Sequence, residues 1–275
     1  MNKHKHIIGF IGGGNMARSL IGGLIRAGYP ADALSVADPN KAIRAALAAD
    51  FGIHANSDNQ RIVDLCDVVV LAVKPQVMKD VTTALRTGQR QHQLFLTVAA
   101  GIRTASLATW LGAKTPIVRA MPNTPALVQS GATGLFANSQ VSSAQRDLAE
   151  SIMRAAGLVQ WVEDEALMDA VTALSGSGPA YLFLVMEAME KAGQALGLPA
   201  DTARLLTVQT AFGAAKLALE IEEDPAVLRE NVTSPGGTTE RAIQILREEG
   251  LENLFDKALR AARDRAQELA DELGK

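Results

Sequence analysis

The chain has 275 residues, 48% of them hydrophobic and 21% charged, and a net charge of −3. That is the make-up of a soluble globular protein with room for one large or two medium domains. With no long basic run it has no electrostatic footing for nucleic acid. No apolar run approaches the ~20 residues of a membrane helix.

One cysteine, Cys66, excludes an internal disulfide framework and fits a reducing compartment. It sits in an apolar run and reads as core rather than nucleophile. The four histidines, His4, His6, His54 and His92, have no metal-ligand spacing, and no metal is expected. The start, Met1 to His6, leads into an apolar run too short and too soon broken by glycine for a signal peptide. The expected location is cytoplasmic.

The first element is a strand ending in Gly12-Gly13-Gly14, followed by a helical pattern from Ala17 to Arg26. Read as G-x-G-x-x-A, it has the strand–turn–helix context of a dinucleotide-binding turn. Gly12 allows the tight turn. Gly14, lacking a Cβ, lets a pyrophosphate approach the backbone, and Ala17 lets the helix pack close. The free N–H groups of the helix's first turn face the phosphates. Leu34 to Ala37 reads as a second strand, ending at Asp38-Pro39-Asn40. Asp38 serves either as an acceptor for the adenosine ribose or, like Asn40, as the N-cap of a helix from Lys41 to Ala49.

Asp67 to Val73 is β-branched and apolar without alternation, the signature of a strand buried on both faces, and stops at Lys74-Pro75. Leu94 to Val98 and Ile117 to Ala120 are the next strands. They end at Ala99-Ala100-Gly101 and at Met121-Pro122-Asn123-Thr124-Pro125. Further strands at Gly134 to Ala137 and Val159 to Val162 flank a helix from Ser143 to Ala156, stopped by Gly157. Strands alternating with helices predict a doubly wound parallel sheet with ligands at the strand carboxyl ends.

After Glu163 only helical patterns recur, so the domains are expected at 1–163 and 164–275. The helix from Tyr181 to Leu196 is apolar over more than one face, which points to burial between two copies of the chain. The last, heavily charged helix reads as a solvated face. Two glycine-rich stretches interrupt the helices. Ser175-Gly176-Ser177-Gly178-Pro179 reads as a corner or a loop approached by a ligand. Asn231 to Glu240 places Gly236-Gly237 before a helix start lined by Thr233, Ser234, Thr238 and Thr239, suited to a small carboxylate. With no Ser/His/Asp set, P-loop or Cys/His pair, hydride transfer to or from a small carboxylate-bearing molecule is the expected chemistry.

These motifs resemble those of the pyrroline-5-carboxylate reductase family over nearly the whole chain. The residues that carry the resemblance are Gly9 to Ala17, Leu71 to Pro75, Met121 to Pro125, Leu174 to Tyr181 and, most specific, Val232 to Thr239. It implies an α/β Rossmann-like doubly wound sheet followed by an all-α dimerisation domain, a homodimer and often a ring of dimers forming a decamer. The implied reaction is reduction of 1-pyrroline-5-carboxylate to L-proline by NADPH or NADH.

Carried over by position, the cofactor contacts are Ile11, Gly12, Gly13, Gly14, Asn15 and Met16; Asp38 and Asn40; Asn59; Ala72, Val73, Lys74 and Pro75; and Ala99, Ala100 and Gly101. The substrate contacts are Glu165, Asn231, Gly237, Thr238 and Thr239, with Thr239 as the catalytic donor to the ring nitrogen. Many NADPH-preferring members carry a small hydroxyl residue where this chain has Asp38, which leaves coenzyme preference open. Two rivals stand beside this reading. One is a 3-hydroxyacid dehydrogenase, which needs a helix lysine such as Lys191 or Lys216 as base. The other is a non-catalytic dinucleotide-binding redox sensor, for which the hydroxyl-lined glycine loop has no use.

Overall fold

The structure is a computed structural model that describes residues 6–87 and 92–275. His4 therefore lies outside the described residues. The chain forms two compact units, one running to Ser177 and regaining Ala261–Lys275, the other spanning Gly178–Arg260. The change of character after Glu163 follows the last strand. Compactness divides the chain later, because the helices that follow that strand still pack on the sheet.

The first unit runs β1 (Ile8–Ile11), α1 (Asn15–Arg26), β2 (Leu34–Ala37), α2 (Lys41–Phe51), β3 (His54–Asn56), α3 (Asn59–Leu65), β4 (Val68–Leu71), α4 (Met78–Thr83), β5 (Leu94–Thr97), α5 (Thr104–Leu111), β6 (Ile117–Met121), β7 (Gly131–Ala137), α6 (Ser143–Arg154), β8 (Gly157–Trp161) and α7 (Leu167–Val171). Its strands form one sheet in the order β3-β2-β1-β4-β5-β6-β7-β8. Pairing is parallel except between β6 and β7, which run antiparallel. The all-parallel expectation fails at that one pair, where the short Thr124–Val128 turn brings the chain back without a crossover helix.

Successive side chains of a strand face opposite sides, so β4 feeds both apolar layers. Val68 and Val70 join Phe10, Leu20, Leu96 and Ile152 on one face. Val69 and Leu71 join Ile62, Phe95, Leu107 and Met78 on the other. This double burial is what the uninterrupted β-branched run encodes. Sequence reading missed β3 and α3. β3 is a three-residue edge strand with an exposed His54, too short to show a period.

The second unit holds α8 (Gly178–Ala195), α9 (Ala200–Glu220), α10 (Pro225–Asn231), α11 (Thr238–Glu248) and the first part of α12 (Leu251–Leu273). The stretch Ser175 to Pro179 is not a loop. A π-helical turn, Thr172–Gly176, follows α7, and Ser177 keeps helical angles into α8. Gly176 is needed there because a Cβ would stand 2.5 Å from Met121 Cε.

The charged last helix is not solvated on all sides. Ala266 and Ala270 are buried, Leu273 joins the apolar layer beneath β5, and Arg103 pairs with Asp271 at 2.7 Å. Helices α8, α10 and α11 contain no buried residue, while Leu182, Phe183 and Leu184 on α8 are each more than half exposed. A single copy thus leaves this unit without the core that its apolar residues could form.

Candidate active site

The expected dinucleotide residues collect at the carboxyl ends of β1, β2, β4 and β5, where the strand order reverses between β1 and β4. Gly12 has φ +96°, a left-handed conformation, and a Cβ there would lie 2.7 Å from the Ala72 carbonyl oxygen. The turn from β1 therefore lies tight against the end of β4 and admits only glycine. Gly13 instead packs on α2, since a Cβ would meet Ile43 at 2.7 Å.

Gly14 caps α1 with ordinary extended angles, and a Cβ built there meets nothing within 4 Å. No side chain caps this helix start. The open volume beside uncapped N–H groups at Asn15 and Met16 is the cradle a pyrophosphate requires, so the residues present fit a dinucleotide. Ala17 is fully buried, as close packing of α1 demands. Ala72 to Pro75, Ala99 to Gly101 and Asn59, the first residue of α3, stand at the neighbouring strand ends.

Asp38 and Asn40 turn out to have separate tasks. Asn40 is the N-cap of α2, its side chain accepting from Ala42 and Ile43 N–H. Asp38 is buried, and its carboxylate accepts from Gly13 N–H and Asn40 N–H, each at 2.8 Å. It therefore anchors the glycine turn itself. Arg44 grips the same corner, donating to the Asp38 and Pro39 carbonyls at 2.7 and 2.9 Å.

In the second unit, α11 starts at Thr238 with Gly237 as its cap and no side-chain cap bond. Gly236 sits at φ +70°, and its N–H donates to the Glu240 carboxylate at 2.7 Å. The Gly237 N–H donates to the Ser234 carbonyl at 3.0 Å. The expected Gly237 donor is thus spent inside the loop, and the helix start presents the N–H groups of Thr238, Thr239 and Glu240 instead. Thr233 turns away to donate to the Arg229 carbonyl at 2.6 Å, capping α10. Among the described residues the Thr238 and Thr239 hydroxyls have no hydrogen-bond partner, and Asn231, at the end of α10, is exposed.

Glu165, which the family resemblance places with the substrate, makes its own contacts inside the first unit. Its Oε1 accepts from Thr104 N–H at 2.7 Å and its Oε2 from the Thr104 hydroxyl at 2.6 Å. Buried Arg119 donates to Glu165 at 3.3 Å and to Asp169 at 3.4 Å. Both Glu165 oxygens are thus committed within the first unit. Sequence reading passed over Arg119, Asp169 and Thr104. The available signal was a lone arginine inside an apolar strand, which must find a buried partner.

A family model described as pyrroline-5-carboxylate reductase dimerisation matches residues 165–269, and one described as NADP oxidoreductase coenzyme F420-dependent matches residues 7–101. The chain is 53% identical over 267 residues to a pyrroline-5-carboxylate reductase of Pseudomonas aeruginosa, covering 97% of this chain and 98% of that protein. A solved pyrroline-5-carboxylate reductase structure from Coxiella burnetii superposes with a TM-score of 0.94 at 49% identity, covering 97% of this chain and 99% of that one. The Plasmodium falciparum pyrroline carboxylate reductase, solved with NADP bound, matches at 0.85 and 27% identity over 96% and 98% of the two chains. With a dinucleotide cradle, a helical unit lacking its own core and relatives this close along the whole length, the chain belongs to the pyrroline-5-carboxylate reductase family.

Proposed function

We propose that the chain reduces 1-pyrroline-5-carboxylate to L-proline, the last step of proline synthesis, with the α11 start holding the carboxylate and Thr239 serving the ring nitrogen. The observation that carries this assignment is the uncapped α11 N-terminus with two unpartnered hydroxyls beside it. Such an end binds an anion through backbone N–H groups and the positive end of the helix dipole, without an arginine. The Thr238, Thr239 and Glu240 N–H groups take the carboxylate. Asn231 and Gly237 line the approach.

Bound NADPH or NADH supplies the hydride that the imine carbon accepts. Thr239 Oγ1 donates to the ring nitrogen, relaying a proton from water because an alcohol does not ionise at neutral pH. Ile11 to Met16, Asp38, Asn59, Ala72 to Pro75 and Ala99 to Gly101 are the proposed dinucleotide contacts. The 3-hydroxyacid dehydrogenase alternative lacks its base. Lys191 donates to Glu187, and that carboxylate raises the lysine above its usual range, so it stays an ammonium with no lone pair to take a proton. Lys216 pairs with Glu220 at 3.6 Å. The deciding assay follows NADPH and NADH oxidation with 1-pyrroline-5-carboxylate and with 3-keto acids. Turnover of the imine and not the keto acids is expected, and the reverse pattern rejects the assignment.

The working form is proposed to be a cytoplasmic homodimer through α8 and α9, or a ring of such dimers up to a decamer. The exposed Leu182, Phe183, Leu205, Leu206 and Phe212 supply the apolar contact. Light scattering at micromolar concentration is expected to show at least a dimer, and an active, monodisperse monomer would refute it.

Coenzyme preference turns on Asp38. A 2′-phosphate beside its carboxylate is a like-charge contact costing on the order of 1 kcal/mol, about fivefold in affinity. The guanidinium of Arg44, held at the same corner, offsets part of it. NADPH is expected to work and NADH to compete unusually well. Asp38→Ser should weaken both by releasing Gly13 N–H, yet move the ratio of kcat/KM values toward NADPH. An unmoved ratio would leave Asp38 as a turn anchor only.

A further inference from the structure

Helix α5 begins without a cap of its own. Arg103 stands at the N-cap position and its side chain makes no cap bond, and no acidic residue lies in the first turn. The orphan N–H at Thr104 is instead met by Glu165, which is 61 residues further along the chain. The same carboxylate takes the Thr104 hydroxyl. A negative group at a helix N-terminus is stabilised by the helix dipole, and here it closes two bonds at once.

Arg119 orients Glu165 from the other side and is itself anchored by Asp169. On β5, Thr97 lies in register with Arg119, and its hydroxyl accepts from Ala99 N–H at 3.3 Å. Between Thr97 and Thr104 runs the turn Ala99-Ala100-Gly101. Gly101 adopts φ +70° and packs against Leu269 and Leu273 of α12. One end of that turn is held by the Thr97 hydroxyl and the other by the Glu165 contacts to Thr104, while its far side rests on the last helix.

We infer that Glu165 is a positioning residue for the dinucleotide: by capping α5 through Thr104, it holds the Ala99–Gly101 turn in place at the cofactor cleft, and it does not bind the imine. The inference rests on assigning that turn to the cofactor. It also predicts a different kinetic signature from a substrate-binding glutamate. Losing the clamp weakens the cofactor, whereas losing a substrate ligand weakens the imine.

The test uses the full-length enzyme with NADPH alone and with NADPH plus 1-pyrroline-5-carboxylate. Glu165→Ala and Thr104→Val should each raise the calorimetric Kd for NADPH about tenfold, the scale of one lost charge-assisted hydrogen bond. Each should speed amide hydrogen exchange in residues 99–107. KM for the imine at saturating NADPH should stay within about twofold, and Thr104→Ser should restore NADPH binding to within about twofold, since it keeps the hydroxyl donor.

Thr104→Val leaves the Arg119 contacts untouched, so it keeps the question decidable if Glu165→Ala folds poorly. Raised imine KM with unchanged NADPH Kd would overturn the inference and return Glu165 to the substrate. Faster exchange with unchanged NADPH Kd would overturn it too, leaving the clamp a purely structural cap. Wild-type enzyme that binds no NADPH would instead bring down the underlying cofactor assignment.

Discussion

Replacing Thr239 with valine is expected to lower kcat by roughly 10²-fold with a smaller effect on KM, the size and pattern of a lost proton relay. Valine keeps the shape of threonine and deletes the hydroxyl alone. Thr239 is half-buried in the first turn of α11, and among the described residues its hydroxyl has no partner to satisfy first. In the proposed role that donor meets the ring nitrogen, whose demand for a proton grows as imine becomes amine. An interaction that strengthens toward the transition state appears in kcat rather than in ground-state binding. Thr239→Ser should keep much of the rate. Thr238→Ala should be mild, because the proposed Thr238 contact is its backbone N–H, which alanine retains. Wild-type kcat in Thr239→Val, or an effect confined to cofactor affinity, would rule out the role.

The second large effect concerns stability. Arg119 is buried in β6, and its two partners, Glu165 and Asp169, have side chains 19% and 5% exposed. Arg119→Met removes the cation that both carboxylates share. Breaking a buried pair by removing one partner typically costs about 3–5 kcal/mol. For a chain of this size the melting temperature should fall on the order of 10 °C. Substituting Asp169→Leu as well should recover much of the loss, since it removes the more deeply buried of the two carboxylates while Glu165 keeps its Thr104 hydrogen bonds. A single Arg119→Met variant that melts within ~2 °C of wild type would show that water or rearrangement already satisfies the carboxylates. Residual activity of that variant also bears on the α5 cap, because Glu165 would keep Thr104 but lose its orienting arginine.

What the sequence determined by itself is the part of the protein set by local rules. The β-branched run Val68 to Leu71 needs no tertiary information to be a twice-buried strand, and Gly12 announces its turn because only glycine meets the backbone and space demands there. The hydroxyl-lined start of α11 and the overexposed apolar residues of α8 are likewise local patterns, and the family followed from such motifs together.

Tertiary structure decided the rest, wherever one side chain had several chemically acceptable partners. Asp38 could cap, bind ribose or anchor a turn, and the fold gave the cap to Asn40 and the Gly13 N–H to Asp38. Only the family resemblance places Glu165 with the substrate. Folding brings it to Thr104, 61 positions away, and spends both oxygens there. The antiparallel return of β7, the edge strand β3 and the docking of residues 261–275 are equally non-local. Each depends on which surfaces meet, and composition and periodicity do not specify that.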